Sequence, residues 1–567
     1  MRRVRLSSIA CSAGPVVVCL AMLLWLTGAT PPAPVGSAAC RADADFIAPQ
    51  HGLDWYRRNW QPHLARPGVA ACFANGTHPD VVAFVNQALY QPTPDDLRYN
   101  ISSRWSGAQG TPRALTWSFL PDGVSISSGV GEPTAPSNLF ATLDAQFASQ
   151  GGRAVWVQRF QQCFDRWAQL CGTSYSRITV GGNDWDDGAS WGSSAAATRG
   201  DVRIGMKIID GGGGILAYNY FPSNGDMVID SGDNWGVQTN QNRFFRNTLM
   251  HEHGHGLGIS HVCPANGSKL MEPFLNSGFD GPRHDDIRAA QRHYGDFFEE
   301  NDSIGALTIL NAVEVGSPLV VGTPPSPPTG TNPPNSSILS LDGTADADYF
   351  RFTVNGPRLA NVTVTPRGLA YDSCAQSGGN CPSGCSINSL SYADLNVQVI
   401  DSDAVTVLGT GASSPAGSPE TLSNVLLPAA GNYGLRVYSG NSFSQAQLYD
   451  ITISVTAACN EPSIATPPQS QSAAVGQGVV FSVSASGGDL SYQWRRNTVP
   501  LVDAGNISGS TTASLVIDPV GGGDAGTYDV VVSNPCGSIT SPSATLQVTG
   551  SGPNLIPSQE AGLPGKG

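Results

Sequence analysis

Three histidines and one glutamate within an eleven-residue stretch are the residues best suited to chemistry. His251 and His255 lie four apart, so a helix presents both imidazoles on one face. Two imidazoles placed like this can bind one Zn²⁺ at about 2.0–2.1 Å each. Gly258 comes where the helix must turn, and glycine accepts the positive φ that would return His261 as a third ligand. Three histidines with a fourth position left open are typical of catalytic zinc.

Glu252 directly follows the first predicted ligand. This position suits a general base that takes a proton from a zinc-bound water and later delivers it to the leaving amine. Met271 lies ten residues after His261, within the segment Leu-Met-Glu-Pro. His253 is two residues from each helical ligand, about 200° around the helix, so we expect it to pack behind the helix. The stretch predicts a hydrolytic zinc site.

The elements that must position this site follow an α+β pattern. Residues 114–119 alternate as a strand, residues 140–170 are mostly helical, and residues 201–206 and 227–229 read as further strands before the zinc helix. Strands, a long helix, more strands and a final helix fit a twisted mixed sheet backed by helices.

Together these motifs resemble the matrixin branch of the metzincin metalloproteases over about 190 residues. Beyond the zinc motif, the resemblance rests on the segments 210–217, 225–235 and 285–291. Val262 follows the third histidine, where astacins carry Glu and serralysins usually Pro. The resemblance implies a zinc metalloendopeptidase acting on proteins or peptides, with Met271 as a floor beneath the ligands and no bond to zinc. Glu272 departs from the aromatic residue of animal relatives, so cleavage preference does not carry over.

The same resemblance implies a structural Ca²⁺ held by Asp210, Asp230 and Asp233, with carbonyls of residues 211–214 beside them; the alternative is that these acids cap turns. Animal matrixins also hold a structural zinc. Here Tyr218 and Val228 stand at two of its histidine positions, so we expect packing or calcium to hold this rim instead.

Composition and the N-terminus indicate an exported, multidomain chain. The 567 residues carry a formal charge of −14, and no basic run follows the N-terminus, which disfavours nucleic acid and anionic membranes as partners. Residues 1–38 read as a secretory signal peptide, the alternative being an uncleaved membrane anchor. We therefore predict a secreted, extracellular protein with no stable membrane insertion after cleavage.

The predicted organisation is an α+β catalytic domain followed by two all-β sandwiches. Residues 39–95 form a pro-region and residues 96–298 the catalytic domain. Residues 299–457 resemble a pre-peptidase C-terminal β-sandwich, residues 458–549 resemble an immunoglobulin-like domain, and residues 550–567 form a disordered tail. Residues 323–334 read as a proline-rich loop. Both sandwiches are expected either to bind an extracellular surface or matrix ligand, or to act as spacers.

Export makes the cysteines candidate disulfide partners. Cys459 and Cys536 bracket the last domain, and Cys163 with Cys171 is plausible if a helix ends between them. Cys72 either pairs with Cys40 or inhibits the zinc as a thiolate ligand. One of the crowded cysteines 374, 381 and 385 needs a distant partner or stays free.

A second function class is a non-catalytic adhesin or matrix protein that retains a metzincin shell. The discriminating residues are the three histidine ligands and Glu252, and all four are present.

Overall fold

The computed structural model describes residues 51–61, 65–66, 68–89, 103–376, 381–458, 461–534 and 536–550. The predicted signal peptide, the boundary at residue 95, Cys40, Cys459 and the tail after residue 550 lie outside these ranges. Within them, each helix is too short or too polar to cross a lipid bilayer.

The N-terminal and catalytic parts form one mixed α+β unit. Their helices and strands are α1 (Leu53–Asn59), β1 (Val69–Phe73), α2 (Pro79–Leu89), β2 (Arg113–Phe119), β3 (Ser125–Ile126), β4 (Ala135–Pro136), α3 (Leu139–Gln146), α4 (Arg153–Ala168), β5 (Thr173–Arg177), β6 (Val202–Lys207), β7 (Ile215–Tyr220), β8 (Met227–Asp230), α5 (Arg243–Gly256), β9 (Val262–Cys263) and α6 (His284–Tyr294). The predicted strands and zinc helix are present. The long helix predicted over residues 140–170 is divided at Gly151 and Gly152, which have φ of 112° and 67°.

A six-stranded sheet carries this unit, with strand order β1-β7-β8-β6-β2-β5. Strand β2 is parallel to β5 and β6, and β6 is parallel to β8, whereas β7 runs antiparallel to both β8 and β1. The segment predicted as a pro-region therefore adds its own strand to the edge of the catalytic sheet.

Helix α4 supports α5, the helix that carries His251 and His255. Every residue of α5 from Phe244 to Gly256 is buried, so this helix needs partners on all sides. The Trp167 indole donates a hydrogen bond to the Met250 carbonyl at 3.1 Å, and Trp117 stacks on Phe164 at 4.7 Å between ring centroids. Aromatic packing between sheet and α4 thus fixes the height of α5 above the sheet.

A β-sandwich follows the catalytic unit. Its strands are β10 (Thr308–Ala312), β11 (Leu319–Val321), β12 (Leu339–Leu341), β13 (Ala347–Val354), β14 (Arg358–Arg367), β15 (Ala370–Asp372), β16 (Cys374–Ala375), β17 (Ser386–Asn388), β18 (Leu395–Ile400), β19 (Val407–Gly411), β20 (Glu420–Leu427), β21 (Gly431–Ser439) and β22 (Gln447–Ala457). The main sheets have the orders β10-β13-β21-β18-β19 and β11-β22-β14-β20. Along β14, buried and half-buried residues alternate, as expected of a strand with one face on the core. The proline-rich residues 323–334 form no helix or strand, as predicted.

The last domain is a second sandwich. It contains β23 (Ser463–Thr466), β24 (Gln471–Ala474), β25 (Val479–Ser482), β26 (Ser484–Ser486), β27 (Ser491–Arg496), β28 (Val499–Pro500), β29 (Ile507–Ser508), β30 (Ser514–Ile517), β31 (Gly526–Asn534), β32 (Gly537–Thr540) and β33 (Ala544–Thr549). Trp494 is fully buried, and the Tyr528 hydroxyl donates to the Asp524 carbonyl at 2.7 Å. The core tryptophan and tyrosine corner of an immunoglobulin-like domain are therefore confirmed.

Two disulfide predictions are wrong. Cys163 and Cys171 are both free and buried: α4 runs on to Ala168, past Cys163, whose thiol faces the Arg246 carbonyl at 3.4 Å. Cys72 is also free, so it has no bond to Cys40. The crowded loop is resolved as Cys374–Cys385 plus a distant bond, Cys263–Cys381. Cys536 is disulfide-bonded, and its predicted partner lies outside the described residues.

Candidate metal centre

Helix α5 and the turn after it bring the three predicted histidine ligands together. His251 and His255 are fully buried on one face of α5, and Gly258 follows with φ of 93°. A side chain at Gly258 would place its Cβ 1.9 Å from the Ser103 carbonyl oxygen, so only glycine fits. The turn leads the chain back to His261, which is 6% exposed.

The three imidazoles point their Nε2 atoms at one another. The distances are 3.1 Å between His251 and His255, 3.2 Å between His255 and His261, and 3.3 Å between His251 and His261. A tetrahedral zinc with bonds of about 2.0–2.1 Å separates its nitrogen ligands by roughly 3.3–3.4 Å. The triangle therefore has the size that zinc requires.

The opposite nitrogen of each ring faces a hydrogen-bond acceptor. Nδ1 of His251 lies 2.7 Å from the Leu270 carbonyl, and Nδ1 of His255 lies 2.7 Å from the Ile259 carbonyl. Since a carbonyl can only accept, each Nδ1 carries the proton and each Nε2 carries a lone pair. Burial lowers the pKa of His251 to about 3, so this ring is neutral at pH 7. Neutral rings with converging lone pairs fit a bound cation and repel one another without one.

His261 takes its acceptor from a different part of the chain. Its Nδ1 lies 2.9 Å from Oε1 of Gln376, in the β-sandwich. Burial lowers the pKa of His261 to about 4, so this ring is also neutral at pH 7.

The segment around Met271 lies directly beneath α5. A Cβ on Gly254 would meet the Met271 sulfur at 2.4 Å, so glycine lets this side chain pass under the helix. Asp286 on α6 holds the segment in place by accepting from the Leu270 and Met271 amides at 2.9 and 3.2 Å. Leu270 is also the residue whose carbonyl orients His251, so Asp286 supports that ligand indirectly.

Glu272 turns away from the cleft. Its carboxylate accepts from the amides of Gly267, Ser268 and Lys269 at 2.6–3.0 Å, and the residue is 1% exposed. Glu272, which replaces the aromatic residue of the family pattern, thus stabilises the loop formed by residues 267–269.

Glu252 is fully buried beside His251, and its carboxyl group lies next to the backbone amide of Cys72, which partly offsets the effect of burial on its pKa. Burial raises the pKa of its carboxyl well above the ordinary range. One Glu252 oxygen, a ring nitrogen of His251 and the thiol of Cys72 lie within 4.8 Å of one another. The Glu252 carboxyl group therefore faces the same small space as the predicted metal ligands and a cysteine of the N-terminal segment.

Strand β1 brings Cys72 to this space by occupying the groove in front of the site. It pairs antiparallel with β7 from Val69, opposite Tyr220, to Phe73, opposite Ile215. On its other side, the Phe73 amide donates to the Pro273 carbonyl at 3.1 Å, and the Leu275 amide donates to the Phe73 carbonyl at 3.0 Å. The groove between β7 and residues 273–275 thus holds one extended chain.

The three predicted calcium ligands gather at the loop between β6 and β7. Both Asp230 oxygens accept backbone amides, from Asp210 and Gly211 on one side and Gly232 on the other. Asp210 Oδ1 and Asp233 Oδ2 are buried without a partner in the described structure, and burial raises the pKa of Asp233 to about 8. Asp230 caps turns, while the other two offer free oxygens.

A buried ion pair lies beside Tyr218, at the rim of the sheet where the sequence predicts no structural zinc. Tyr218 donates to Glu132 at 2.8 Å, and Lys207 Nζ lies 2.7 Å from the same carboxylate. Glu132 also accepts the amides of Gly129 and Val130. The sequence analysis expected packing or calcium at this rim and did not predict the Lys207–Glu132 pair, because Glu132 lies in a loop far from β7 in sequence.

His253 behaves as predicted. Its Nε2 lies 2.8 Å from the Tyr175 hydroxyl, and its ring packs edge-on against Phe164, away from the other histidines.

Gln376 and Asp286 are the supporting residues that the sequence did not reveal. Asp286 lies in the segment 285–291, whose resemblance to the family is a weak signal of its role. Gln376 gave none, since it is 115 residues from His261.

The fold and this histidine cluster are those expected of a metzincin-type domain. Residues 146–295 match the matrixin family model, and residues 461–534 match an immunoglobulin domain. The chain therefore carries a matrixin domain and, after further β-structure, an immunoglobulin-like domain.

Several known proteins are similar to a part of this chain. Mouse (Mus musculus) stromelysin-3 is 37% identical over 90 residues, covering 15% of this chain and 18% of the relative. The hatching enzyme of Paracentrotus lividus is 32% identical over 124 residues, covering 20% and 21%, and interstitial collagenase of Equus caballus is 27% identical over 146 residues, covering 25% and 29%. The chain thus spans less than a third of the length of these relatives.

Among solved structures, titin M4 is 26% identical, covering 16% of this chain and 99% of titin M4, with a TM-score of 0.15. The tandem Ig repeats of Dlar are 21% identical, covering 21% and 70%, with a TM-score of 0.16. Scores this low support no inference about the whole chain.

Proposed function

We propose that this protein is a secreted zinc endopeptidase that hydrolyses peptide bonds in protein substrates. The observation that carries the proposal is the triangle of Nε2 lone pairs on His251, His255 and His261, of the size that zinc requires. When bound there, zinc would supply Lewis-acid polarisation of the scissile carbonyl and a more acidic water.

The chain's own residues then divide the work. The three histidines hold the metal, and Met271 forms the floor below them. Glu252, whose carboxyl group faces the cluster, would in its ionised form accept a proton from the attacking water and pass it to the leaving amine nitrogen. The edge of β7 binds the substrate as an extended strand, in the groove that β1 now fills.

Residues 39–95 act as a pro-region in this proposal. Their strand β1 covers the groove, and Cys72 lies at the metal ligands, so substrate and β1 compete for one place. Displacement or cleavage of this segment would expose the site.

Calcium remains part of the proposal. The free buried oxygens of Asp210 and Asp233 support a Ca²⁺ beside the glycine loop, with Asp230 holding that loop in place. Ca²⁺ should raise the melting temperature of the wild type more than that of Asp233→Asn. An equal rise in both proteins would contradict this assignment.

Secretion and the roles of the sandwiches complete the proposal. Disulfides at Cys263, Cys374 and Cys536 are typical of oxidising compartments. The immunoglobulin-like domain would bind or space the enzyme on an extracellular protein partner.

The test is cleavage of an unfolded protein substrate by the purified chain, before and after limited proteolysis that removes β1. We expect activity that a chelator abolishes, that zinc restores, and that Glu252→Gln lowers by orders of magnitude. Glu314→Gln makes the same chemical change at an exposed site of the sandwich and serves as the matched control. Activity that persists in Glu252→Gln would contradict the mechanism. A zinc-loaded, opened chain without any cleavage would favour the adhesin alternative.

A further inference from the structure

The third histidine is supported differently from the other two. His251 and His255 direct Nδ1 at backbone carbonyls of the catalytic domain itself, at Leu270 and Ile259. His261 directs Nδ1 at the side chain of Gln376, which belongs to the β-sandwich and is 4% exposed. One ligand of the site therefore depends on a residue outside the matrixin domain.

Strand pairing across the two domains sets this contact. Strand β16 pairs antiparallel with β9, so that Cys374 lies opposite Cys263 and Ala375 lies opposite Val262. Continuing this register by one residue places Gln376 opposite His261. The contact thus follows from the backbone pairing of the two strands.

A disulfide and a buried polar network hold the two strands together. Cys263, two residues after His261, is bonded to Cys381. On α6, Asp285 accepts from the Ser373 hydroxyl at 3.1 Å and from the Tyr371 hydroxyl, and Arg288 donates to Tyr371 at 2.8 Å.

Two further contacts extend this seam. Arg288 donates to the Ala446 carbonyl at 2.9 Å, and His284 lies 2.8 Å from the Ser389 hydroxyl. Because Asp285, Arg288, His284 and Ser389 are buried and hydrogen-bonded across the seam, they hold the sandwich against α6 at this point.

We propose that Gln376 is a positioning residue of the metal centre, so that the β-sandwich completes the site. This inference rests on the proposed zinc function. The Gln376 amide oxygen accepts the Nδ1 proton of His261, which leaves Nε2 as the lone pair and fixes the ring plane. A neutral amide does this in a buried position without adding a charge beside the metal.

The experiment compares the full-length chain with three variants. Gln376→Met keeps the volume and removes the acceptor, Gln376→Glu keeps an acceptor oxygen, and Gln445→Met changes a buried glutamine elsewhere in the sandwich. Zinc affinity is measured by competition with a chromophoric chelator, independently of activity. Loss of a partner of this kind typically weakens metal binding about 10–100-fold.

We expect Gln376→Met to lose zinc affinity by about 10–100-fold, Gln376→Glu to stay within several-fold of wild type, and Gln445→Met to be unchanged. A purely structural role for Gln376 would lower affinity equally in both Gln376 variants, which would overturn the inference. An unchanged zinc affinity in Gln376→Met would also overturn the inference. In that case, tight zinc binding and substrate cleavage by the wild type would show that the proposed function still stands. Failure of the wild type to bind zinc would instead overturn the proposed function.

A second measurement uses the cross-domain disulfide. In the double variant Cys263→Ser, Cys381→Ser, strand β16 loses its covalent link to β9, while the Cys374–Cys385 bond remains. We expect this double variant to bind zinc more weakly than the wild type, as Gln376→Met does. Adding Gln376→Met to the double variant should weaken zinc binding only a little further. Independent, additive losses would contradict a shared route through His261.

Discussion

Truncating Phe73 should open the groove that β1 fills. Phe73 is fully buried, its ring centroid lies 6.5 Å from that of Phe274, and it belongs to the apolar cluster that joins α1, α2 and the outer side of the sheet. Neighbouring Cys72 and Ala74 face the catalytic core instead. Phe73→Ala therefore loosens the docking of β1 without touching a metal ligand.

The magnitude follows from the burial of this side chain. Replacing a buried Phe with Ala costs about 3–5 kcal/mol, and the lower end applies because the Phe73 amide and carbonyl keep their hydrogen bonds to Pro273 and Leu275. At about 1.4 kcal/mol per tenfold change, the population with β1 displaced rises on the order of 100-fold. While that population is small, the rate of substrate cleavage rises by the same factor.

The assay is the initial rate of cleavage of a quenched fluorescent protein substrate by zinc-loaded full-length chain. Phe481→Ala removes an equally buried phenylalanine from the immunoglobulin-like domain and controls for general loss of stability. Phe73→Ala combined with Glu252→Gln should be inactive. A Phe73→Ala rate equal to wild type, in a protein that is still folded by circular dichroism, would refute the idea that β1 blocks the site.

Two further predictions concern stability. Lys207→Met leaves the fully buried Glu132 carboxylate without its cation, and should lower the free energy of unfolding, measured with denaturant, by about 3–5 kcal/mol. Most of this loss should be recovered in the double variant with Glu132→Gln. A loss below about 1 kcal/mol would contradict the role of the pair. Burial, reinforced by Asp302 and offset by Arg292, raises the pKa of Asp342 from 3.8 to about 6. The folded state therefore keeps this proton up to a higher pH than the unfolded state. As pH rises from about 4 to 6, this carboxyl lowers the free energy of unfolding by about 3 kcal/mol in all. Asp342→Asn should flatten this part of the melting temperature profile and raise it at pH 8; an unaltered profile would refute the assignment.

Local sequence patterns predicted the parts of the site that depend on local geometry. The i, i+4 spacing of His251 and His255 places both rings on one helix face, and Gly258 was expected to turn the chain because of its allowed φ. The hydrophobic alternation of β2 and the core tryptophan of the last domain were predictable for the same reason.

Long-range contacts were not predictable from one sequence. Glutamine has no distinctive chemistry, so nothing marks Gln376 as the partner of a histidine 115 residues away. The pair of Lys207 with Glu132 depends on a loop whose path follows from tertiary packing. The Cys163–Cys171 bond was plausible only if a helix ended between the two cysteines. Helix α4 does end between them, at Ala168, yet both stay free, because tertiary packing directs the Cys163 thiol at the Arg246 carbonyl.

Strand β7, the antiparallel partner of β1, would change its surroundings if β1 were displaced as proposed. Every residue of β7 is buried while β1 is paired with it. Once β1 leaves, β7 becomes the edge of a five-stranded sheet and presents a row of unpaired amides and carbonyls. The edge that we propose to bind a substrate strand could then accept a strand from another molecule, including a second copy with β1 displaced. An opened enzyme kept without substrate should therefore self-associate in a concentration-dependent way, and an extended peptide bound along β7 should keep it monomeric.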